Sequence, residues 1–279
     1  MERRRLQLAN SHDGGGGLSC TAGDVAYWDG SKVNTTPLSS WNTSLGTPIG
    51  VVVVPNGFAP DGKIRIVSLM YVDENGNQSS SYVSMVWGGY GSNISLISFT
   101  KVPTTDNAGS TSSGSGSVGY LPSDSFTGAT SFVDPKAKYS QNSDLIPSPY
   151  LGDTPNPEYY KELDGSNVLS DFNGLSNTQT LVGLGTQYTA ANACWKYNDG
   201  ANNLQWYLPA MGELGYLLPR WNDINNTIIN LGGTAVDRAY LWSSSGYGYN
   251  YAYRLGTNSG NVGTNTRSTN RYVRPFAHF

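Results

Sequence analysis

Ionisable side chains are scarce in this chain of 279 residues: 13% are charged, two are histidine and two are cysteine. Each shortage excludes something. The 17 basic and 20 acidic residues leave a formal charge of −3, and Arg3, Arg4 and Arg5 are the sole basic cluster, so no footprint for a phosphate backbone exists and nucleic acid is not expected as a partner. His12 and His278 sit beside the termini, where a general base would rest on residues prone to fraying, and the scattered Asp and Glu define no catalytic pair. The chain is therefore expected not to be an enzyme and to use no cofactor or metal. Cys20 and Cys194, far apart in sequence, suggest neither a disulfide framework nor paired zinc thiolates, and read as reduced thiols of a protein made in the cytoplasm. Long apolar runs are missing too. Val51 to Val54 falls far short of the roughly 20 residues of a membrane-spanning helix, so no membrane partner is expected. Leu6 to Ala9 give way at once to polar residues, so no secretory signal is expected.

What replaces charge is a neutral polar alphabet. Glycine contributes 34 residues and tyrosine 19, and with 12% aromatic residues the rings must carry much of the burial. Residues 1–45 read as a β-rich N-terminal arm: Gly14 to Gly17 form a joint, and Gly23 to Gly30 alternates polar and apolar before a turn, predicting a small hairpin used for attachment. Residues 46–279 read as one mixed α+β domain. Ile49 to Val54 predicts a strand, Ile64 to Tyr71 alternates like a half-buried one, and two or three more end near Trp87. A low-complexity Ser/Gly/Thr and Pro-dotted stretch at about 101–160 reads as a surface insertion without regular structure. Two helices are predicted. Thr189 to Tyr197 carries Ala190, Ala193, Cys194 and Tyr197 at helical spacing, and a second helix begins after Pro209, is interrupted at Pro219 and stops at Gly232-Gly233. Beyond Ala239 the strands are expected at Tyr240 to Trp242, Tyr251 to Leu255 and Tyr272 to Phe276.

Several motifs reduce to bland readings. Gly114-Ser-Gly116-Ser-Val-Gly119 spells the dinucleotide fingerprint but lacks a strand before it and a helix after it. Trp221-Asn-Asp223, a calcium-ligand triplet in sugar-binding lectins, falls inside a predicted helix without a second ligand motif, so Trp221 reads as structural. The stretch Gly246 to Asn270 differs in kind. Tyr247, Tyr249, Tyr251 and Tyr253 alternate with Gly and Asn, then almost only Thr, Asn, Ser and Gly follow, with Arg254 and Arg267 the sole charges. Antibody paratopes use this alphabet, because Tyr offers a large rigid contact at low entropic cost while Ser, Asn and Thr supply adaptable hydrogen bonds.

Three segments carry a resemblance: Trp206-Tyr-Leu-Pro-Ala-Met-Gly-Glu-Leu214, Tyr240-Leu-Trp-Ser-Ser-Ser245 and Arg271-Tyr-Val-Arg-Pro-Phe276, preceded by Ile49 to Val54, Gly57, Ile64 to Leu69 and Val86-Trp-Gly88. Together they resemble the C-type-lectin fold of the formylglycine-generating-enzyme type, and more narrowly the variable proteins of diversity-generating retroelements in gut Bacteroides and their phages. The resemblance implies a C-type-lectin-like fold with a variable region at about 243–276. In such proteins adenine-directed mutagenesis rewrites Asn codons at chosen sites. Trp242, Ser243, Ser244, Ala252, Leu255, Gly260, Val262, Arg274 and Pro275 would then be fixed scaffold. Tyr247, Tyr249, Asn250, Tyr251, Tyr253, Arg254, Thr257, Asn258, Asn261, Thr264, Asn265, Thr266, Ser268, Thr269 and Asn270 would be the displayed, ligand-binding set. The reactive cysteine pair of the enzymatic namesakes is not matched, Cys194 standing alone, so their oxidase activity is not carried over.

The expectation is a receptor-binding protein at a phage tail tip, attached to other tail components through the N-terminal arm, trimeric by analogy with tail fibres, and directed at a protein or glycan receptor on the host surface. Other readings stay open: a lectin of fixed carbohydrate specificity, calcium-dependent or not, or a bacterial cell-surface adhesin exported by a signal from elsewhere in its gene.

Overall fold

The computed structural model describes residues 19–92, 117–121, 123–124, 146, 148–161, 168–198, 204–236, 239–247 and 249–279. Along them run β1 (Val25–Trp28), β2 (Val33–Thr36), β3 (Thr47–Val54), β4 (Arg65–Ser68), β5 (Tyr71–Val72), β6 (Gln78–Ser79), β7 (Ser84–Val86), β8 (Ser117–Tyr120), β9 (Tyr150–Leu151), β10 (Thr154–Pro155), α1 (Pro157–Lys161), α2 (Gly174–Leu184), α3 (Thr189–Lys196), α4 (Met211–Leu214), α5 (Trp221–Asn230), β11 (Tyr240–Tyr247), β12 (Tyr251–Gly256), β13 (Asn261–Thr266), β14 (Asn270–Tyr272) and β15 (Phe276–His278). The architecture is mixed α+β with mostly antiparallel sheets and few helices.

Valine and isoleucine build the first sheet, ordered β15-β4-β3-β1-β2. Its central strand β3 buries both faces: Val51 and Val53 join a cluster with Trp221, Ile224 and Ile228 of α5, whereas Val52 joins one with Ala190, Ala193 and Cys194 of α3. Fully buried strands read as continuous β-branched runs, which is why Ile49 to Val54 was legible. The half-buried strand expected at Ile64 to Tyr71 is corrected by the same arrangement. Every residue of β4 is buried, because Val67 meets one cluster, Ile66 the other, and Arg65 and Ser68 find polar partners inside.

The hairpin expected from the Gly23 to Gly30 pattern is present, spanning residues 25–36, but it is part of this sheet rather than a separate arm. β1 pairs with β3 from Val25↔Val51 to Trp28↔Thr47, Val25 and Ala26 are fully buried, and Thr227 of α5 donates from Oγ1 to the Gly23 carbonyl at 2.7 Å. A boundary at residue 45 would cut between hydrogen-bonded strands. The joint at Gly14 to Gly17 lies outside the described residues.

The second sheet, ordered β7-β14-β11-β12-β13-β8, contains the parallel pair β11–β14. β8 lies inside the stretch expected to be irregular, and pairs with β13 from Asn261↔Tyr120. The insertion is further corrected by Tyr150 and Tyr159, both buried in the core cluster that holds Tyr216, Leu217 and Leu218. The remainder of the low-complexity stretch, including Gly114 and Gly116, lies outside the described residues, and Gly119 sits in a strand rather than at the start of a helix.

Both predicted helical regions are present, the second as α4 and α5 separated by a 3₁₀ turn containing Pro219. The strand expected at Tyr272 to Phe276 is corrected: β14 ends at Tyr272 and β15 begins at Phe276, because the chain crosses there from the second sheet to the first. Outside the stretch at about 101–160, two elements have no counterpart in the sequence reading. In α2 the buried stripe is Gly174, Asn177, Thr178 and Leu181, helically spaced but half polar, so hydrophobic periodicity cannot reveal it. Strand β13 reads Asn-Val-Gly-Thr-Asn-Thr and offers only Val262 to the core.

Candidate ligand-binding surface

The three segments behind the resemblance converge on one buried polar framework. Ser245 donates from Oγ to Asp171 Oδ2 at 2.7 Å and accepts from the Met211 backbone N–H at 3.0 Å, while Asn177 donates to Asp171 Oδ2 at 2.9 Å and to Ser244 Oγ at 3.2 Å. The serine run thus ties β11 to α2 and to the first residue of α4. Trp242 donates to the Met85 carbonyl at 3.1 Å and Trp87 to the Ser243 carbonyl at 2.7 Å, which fastens β11 to β7 and the residue after it. Tyr207 pairs through both backbone groups with Phe276, at 2.8 and 2.9 Å. Glu213, fully buried, accepts from the Ala210 N–H at 2.8 Å, from Tyr207 at 3.0 Å and from Arg65 Nε at 3.2 Å. Burial raises its carboxyl to about 7 against the opposing pull of Arg65. Gly174 is required beside it, since a Cβ there would meet Glu213 Oε2 at 2.2 Å.

Upon this framework the nine positions expected as scaffold, Trp242, Ser243, Ser244, Ala252, Leu255, Gly260, Val262, Arg274 and Pro275, are all buried. Of the positions expected to be displayed, Tyr249, Asn258, Ser268 and Asn270 are exposed, and Tyr247, Asn250, Tyr251, Asn265, Thr266 and Thr269 are partly exposed. The other five are corrected: Tyr253, Arg254, Thr257, Asn261 and Thr264 are buried.

Strand parity explains the division. Tyr251, Tyr253 and Leu255 share one face of β12, and their partners Thr266, Thr264 and Val262 share it on β13. Leu255, Val262 and Tyr253 enter the core cluster, whereas Tyr251 and Thr266 lie at the rim. Tyr247 packs edge-on against Tyr253 at 5.7 Å between centroids, covering it. Thr257 serves as a clasp, its hydroxyl donating to the Ala239 carbonyl at 2.8 Å and accepting from the Ala239 N–H at 2.7 Å.

The exposed positions also fall into two places. The turns at Tyr249-Asn250 and at 266–269 are joined by the Arg267 N–H donating to the Asn250 carbonyl at 2.7 Å, and the second is closed by the Thr266 and Thr269 hydroxyls 2.6 Å apart. Asn258 sits in the turn at the far end of β12, about 20 Å from Tyr251 at ~3.3 Å per residue.

The arginines of this region have different tasks. Arg267 is buried beneath the rim, 4.6 Å from the Trp87 ring, and donates to the carbonyls of Tyr251, Gly89 and Ser92 at 3.1–3.2 Å. Arg274 donates twice to the Ser68 carbonyl, at 3.0 and 2.8 Å, over the Tyr71 ring. Arg254 and Arg271 instead meet over one ring: their guanidinium carbons lie 4.4 and 4.8 Å from the Tyr240 centroid, and both donate from Nε to Asn265 Oδ1, at 3.3 and 2.9 Å. Burial lowers the Arg271 pKa, with Tyr240 opposing. Neither Arg271 nor Tyr240 belongs to the set expected from sequence; the available signal was that Tyr240 shares the parity of Trp242, which pairs with Arg254.

No group of three or more metal-ligating side chains occurs among the described residues, and no helix among them is long and apolar enough to cross a membrane. Cys20 and Cys194 are free thiols, and burial raises both. Trp221 is buried in the core, while Asn222 and Asp223 face outward. His278, expected to fray, is instead paired in β15 with Arg65 of β4, with Tyr207 at 3.2 Å from Nδ1 and Lys63 at 3.1 Å from Nε2.

No family model and no curated protein matches the chain. Among solved structures, a fimbrial protein from Bacteroides ovatus ATCC 8483 is similar with a TM-score of 0.48 and 17% identity, over 93% of this chain and 49% of that one, so the chain spans about half that protein's length.

Proposed function

We propose that this protein acts by binding alone, presenting the exposed positions of the second sheet to a receptor on a host surface. The observation that carries the reading is the division of burial just described. Every position that the resemblance makes invariant is buried, and ten of the fifteen it makes variable reach the surface on ordered strands and tight turns. A surface built in this way tolerates substitution, because side chains outside the framework contribute little to stability. The finer reading follows from the sequence resemblance: a C-type-lectin-like fold of the diversity-generating-retroelement kind, carried on a phage tail. A bacterial cell surface is the other place of display, and a fixed-specificity lectin the other binding mode. Tyr249, Asn250, Thr266, Ser268, Thr269 and Asn270 form the recognition rim, with Tyr247 and Tyr251 as its ring-bearing floor.

The test is population sequencing of the gene and its flanks. Substitutions confined to the ten exposed or partly exposed positions, each traceable to an adenine in a neighbouring near-repeat beside a reverse transcriptase, are the expected result. Substitutions spread evenly over buried and exposed positions, with no such repeat, would reject diversification and leave a binder of one fixed specificity.

A further inference from the structure

Tyr82, Tyr90 and Tyr249 are 49%, 58% and 58% exposed, and of the three only Tyr249 belongs to the set expected from sequence. Arg267 brings Tyr90 and Tyr249 together. Its backbone N–H donates at 2.7 Å to the carbonyl of Asn250, next to Tyr249, and its Nη1 donates at 3.2 Å to the carbonyl of Gly89, next to Tyr90. Its own carbonyl accepts from the Gly88 N–H at 3.1 Å. The loop is pinned from the other side as well, since a Cβ at Gly88 would collide with the Gln187 carbonyl and one at Gly89 with the Tyr188 ring. Tyr90 is thereby held on a fixed loop beside the turn that carries Tyr249. From there β7 leads back to Tyr82. The pairs Asn270↔Val86 and Tyr272↔Ser84 place these four residues on one face of the β7–β14 ribbon, and Tyr82 joins them by packing against Tyr272 at 6.0 Å between centroids. All five are exposed or partly exposed, whereas Arg271 projects from the opposite face over Tyr240.

Charge is missing from this surface. Residues 81–92 include no charged residue, and residues 246–270 include two, Arg254 and Arg267, both buried. Exposed rings without charge are the composition of the centre of a protein interface. The eight residues from Tyr82 to Tyr90 span up to about 26 Å at ~3.3 Å per residue, which suits a standard interface of roughly 800 Å² a side. A small saccharide is held instead by polar groups that converge in a concavity. We propose that Tyr82 and Tyr90 are fixed contact residues of the recognition surface and that its partner is a protein. The two constant rings supply affinity to any partner, and the neighbouring rim decides which protein is bound. This inference rests on the binding role proposed above and names its partner class.

The full chain should be diversified at the ten exposed or partly exposed rim positions with Tyr82 and Tyr90 kept, then selected in parallel on ubiquitin and on immobilised maltotriose. Ubiquitin is expected to yield binders. In those binders Tyr90→Ala should weaken ubiquitin binding roughly tenfold or more and Tyr82→Ala roughly threefold or more, while Ile229→Ala on α5 has no effect. Hydroxyl-radical footprinting of the same binders, with both tyrosines in place, should show Tyr82 and Tyr90 protected by bound ubiquitin, a readout that loss of fold cannot imitate. Ubiquitin binders that are indifferent to either ring substitution, or whose rings stay unprotected, keep the rim and overturn the inference. Binders recovered on maltotriose alone keep a binding surface and overturn the protein partner. A library that yields no binder on either probe removes the rim and the inference with it.

Discussion

The two large sheets solve the same packing problem with opposite alphabets. In the first, β3 and β4 bury valine and isoleucine on both faces, so nearly every side chain contributes to the core. In the second, β12 and β13 give the core a few large side chains, Tyr253, Leu255 and Val262, and surround them with asparagine, threonine and glycine. The difference teaches where change is tolerated. A sheet that buries both faces has no position to spare, whereas one anchored by a few rings and a serine–tryptophan framework can vary along its rim.

The largest effects should come from the polar and aromatic anchors. Glu213→Ala leaves the buried Arg65 guanidinium with Asp61 as its one acidic partner among the described residues and should cost about 3–5 kcal/mol, measured by urea denaturation. If the loss is under 1 kcal/mol, the buried pair is not what joins α4 to the first sheet. Tyr253→Ala should cost a similar ~3–5 kcal/mol, against under about 0.5 kcal/mol for Tyr249→Ala, although the sequence presents the two tyrosines alike. Equal costs would mean that strand parity does not divide core from rim. Val52→Ala in the first sheet should cost about 2 kcal/mol, and Ser268→Ala in the second almost nothing, which compares the alphabets directly.

A smaller effect concerns pH. Burial first, then Lys63 and Arg65, lower the His278 pKa to about 4 from an ordinary 6.5. The unfolded chain therefore takes up this proton more readily, so stability from this group is present above pH 6.5 and is lost as pH falls toward 4. Glu213 carries the opposite sign, its raised carboxyl favouring the folded state as pH falls from 7 toward 4.5. The difference between His278→Gln and the unaltered protein isolates the histidine. That difference should shift in favour of the variant by about 1 kcal/mol between pH 7.5 and pH 5, discounted for the partly exposed ring. A flat difference would show that the imidazole titrates as it does in water.

Several elements were legible because their packing partners are apolar. The run Ile49 to Val54, the alanine-rich α3 and the Tyr240 to Trp242 start of β11 each show their period in the letters alone. Helix α2 was not legible because Asn177 and Thr178 are buried against Asp171, Ser244 and Leu208, partners that only the fold supplies. Strand β13 escaped for a related reason, its Asn and Thr being held by ladder bonds to β12 on one side and β8 on the other.

By itself, the sequence determined that the protein has little charge, that its C-terminal quarter is rich in Tyr, Asn, Ser, Thr and Gly, and that the strand over Ile49 to Val54 and the helices after Tyr188 and Pro209 lie where their periods say. Composition and period are properties of neighbouring letters, and these need no contact at long range. Only the tertiary structure decided which tyrosines are core and which are rim, that residues 25–36 belong to the first sheet, and that Arg271 meets Arg254 over Tyr240. Those outcomes depend on which face of a strand meets the core and on pairings between distant segments, and a side chain becomes buried or displayed only when that partner arrives.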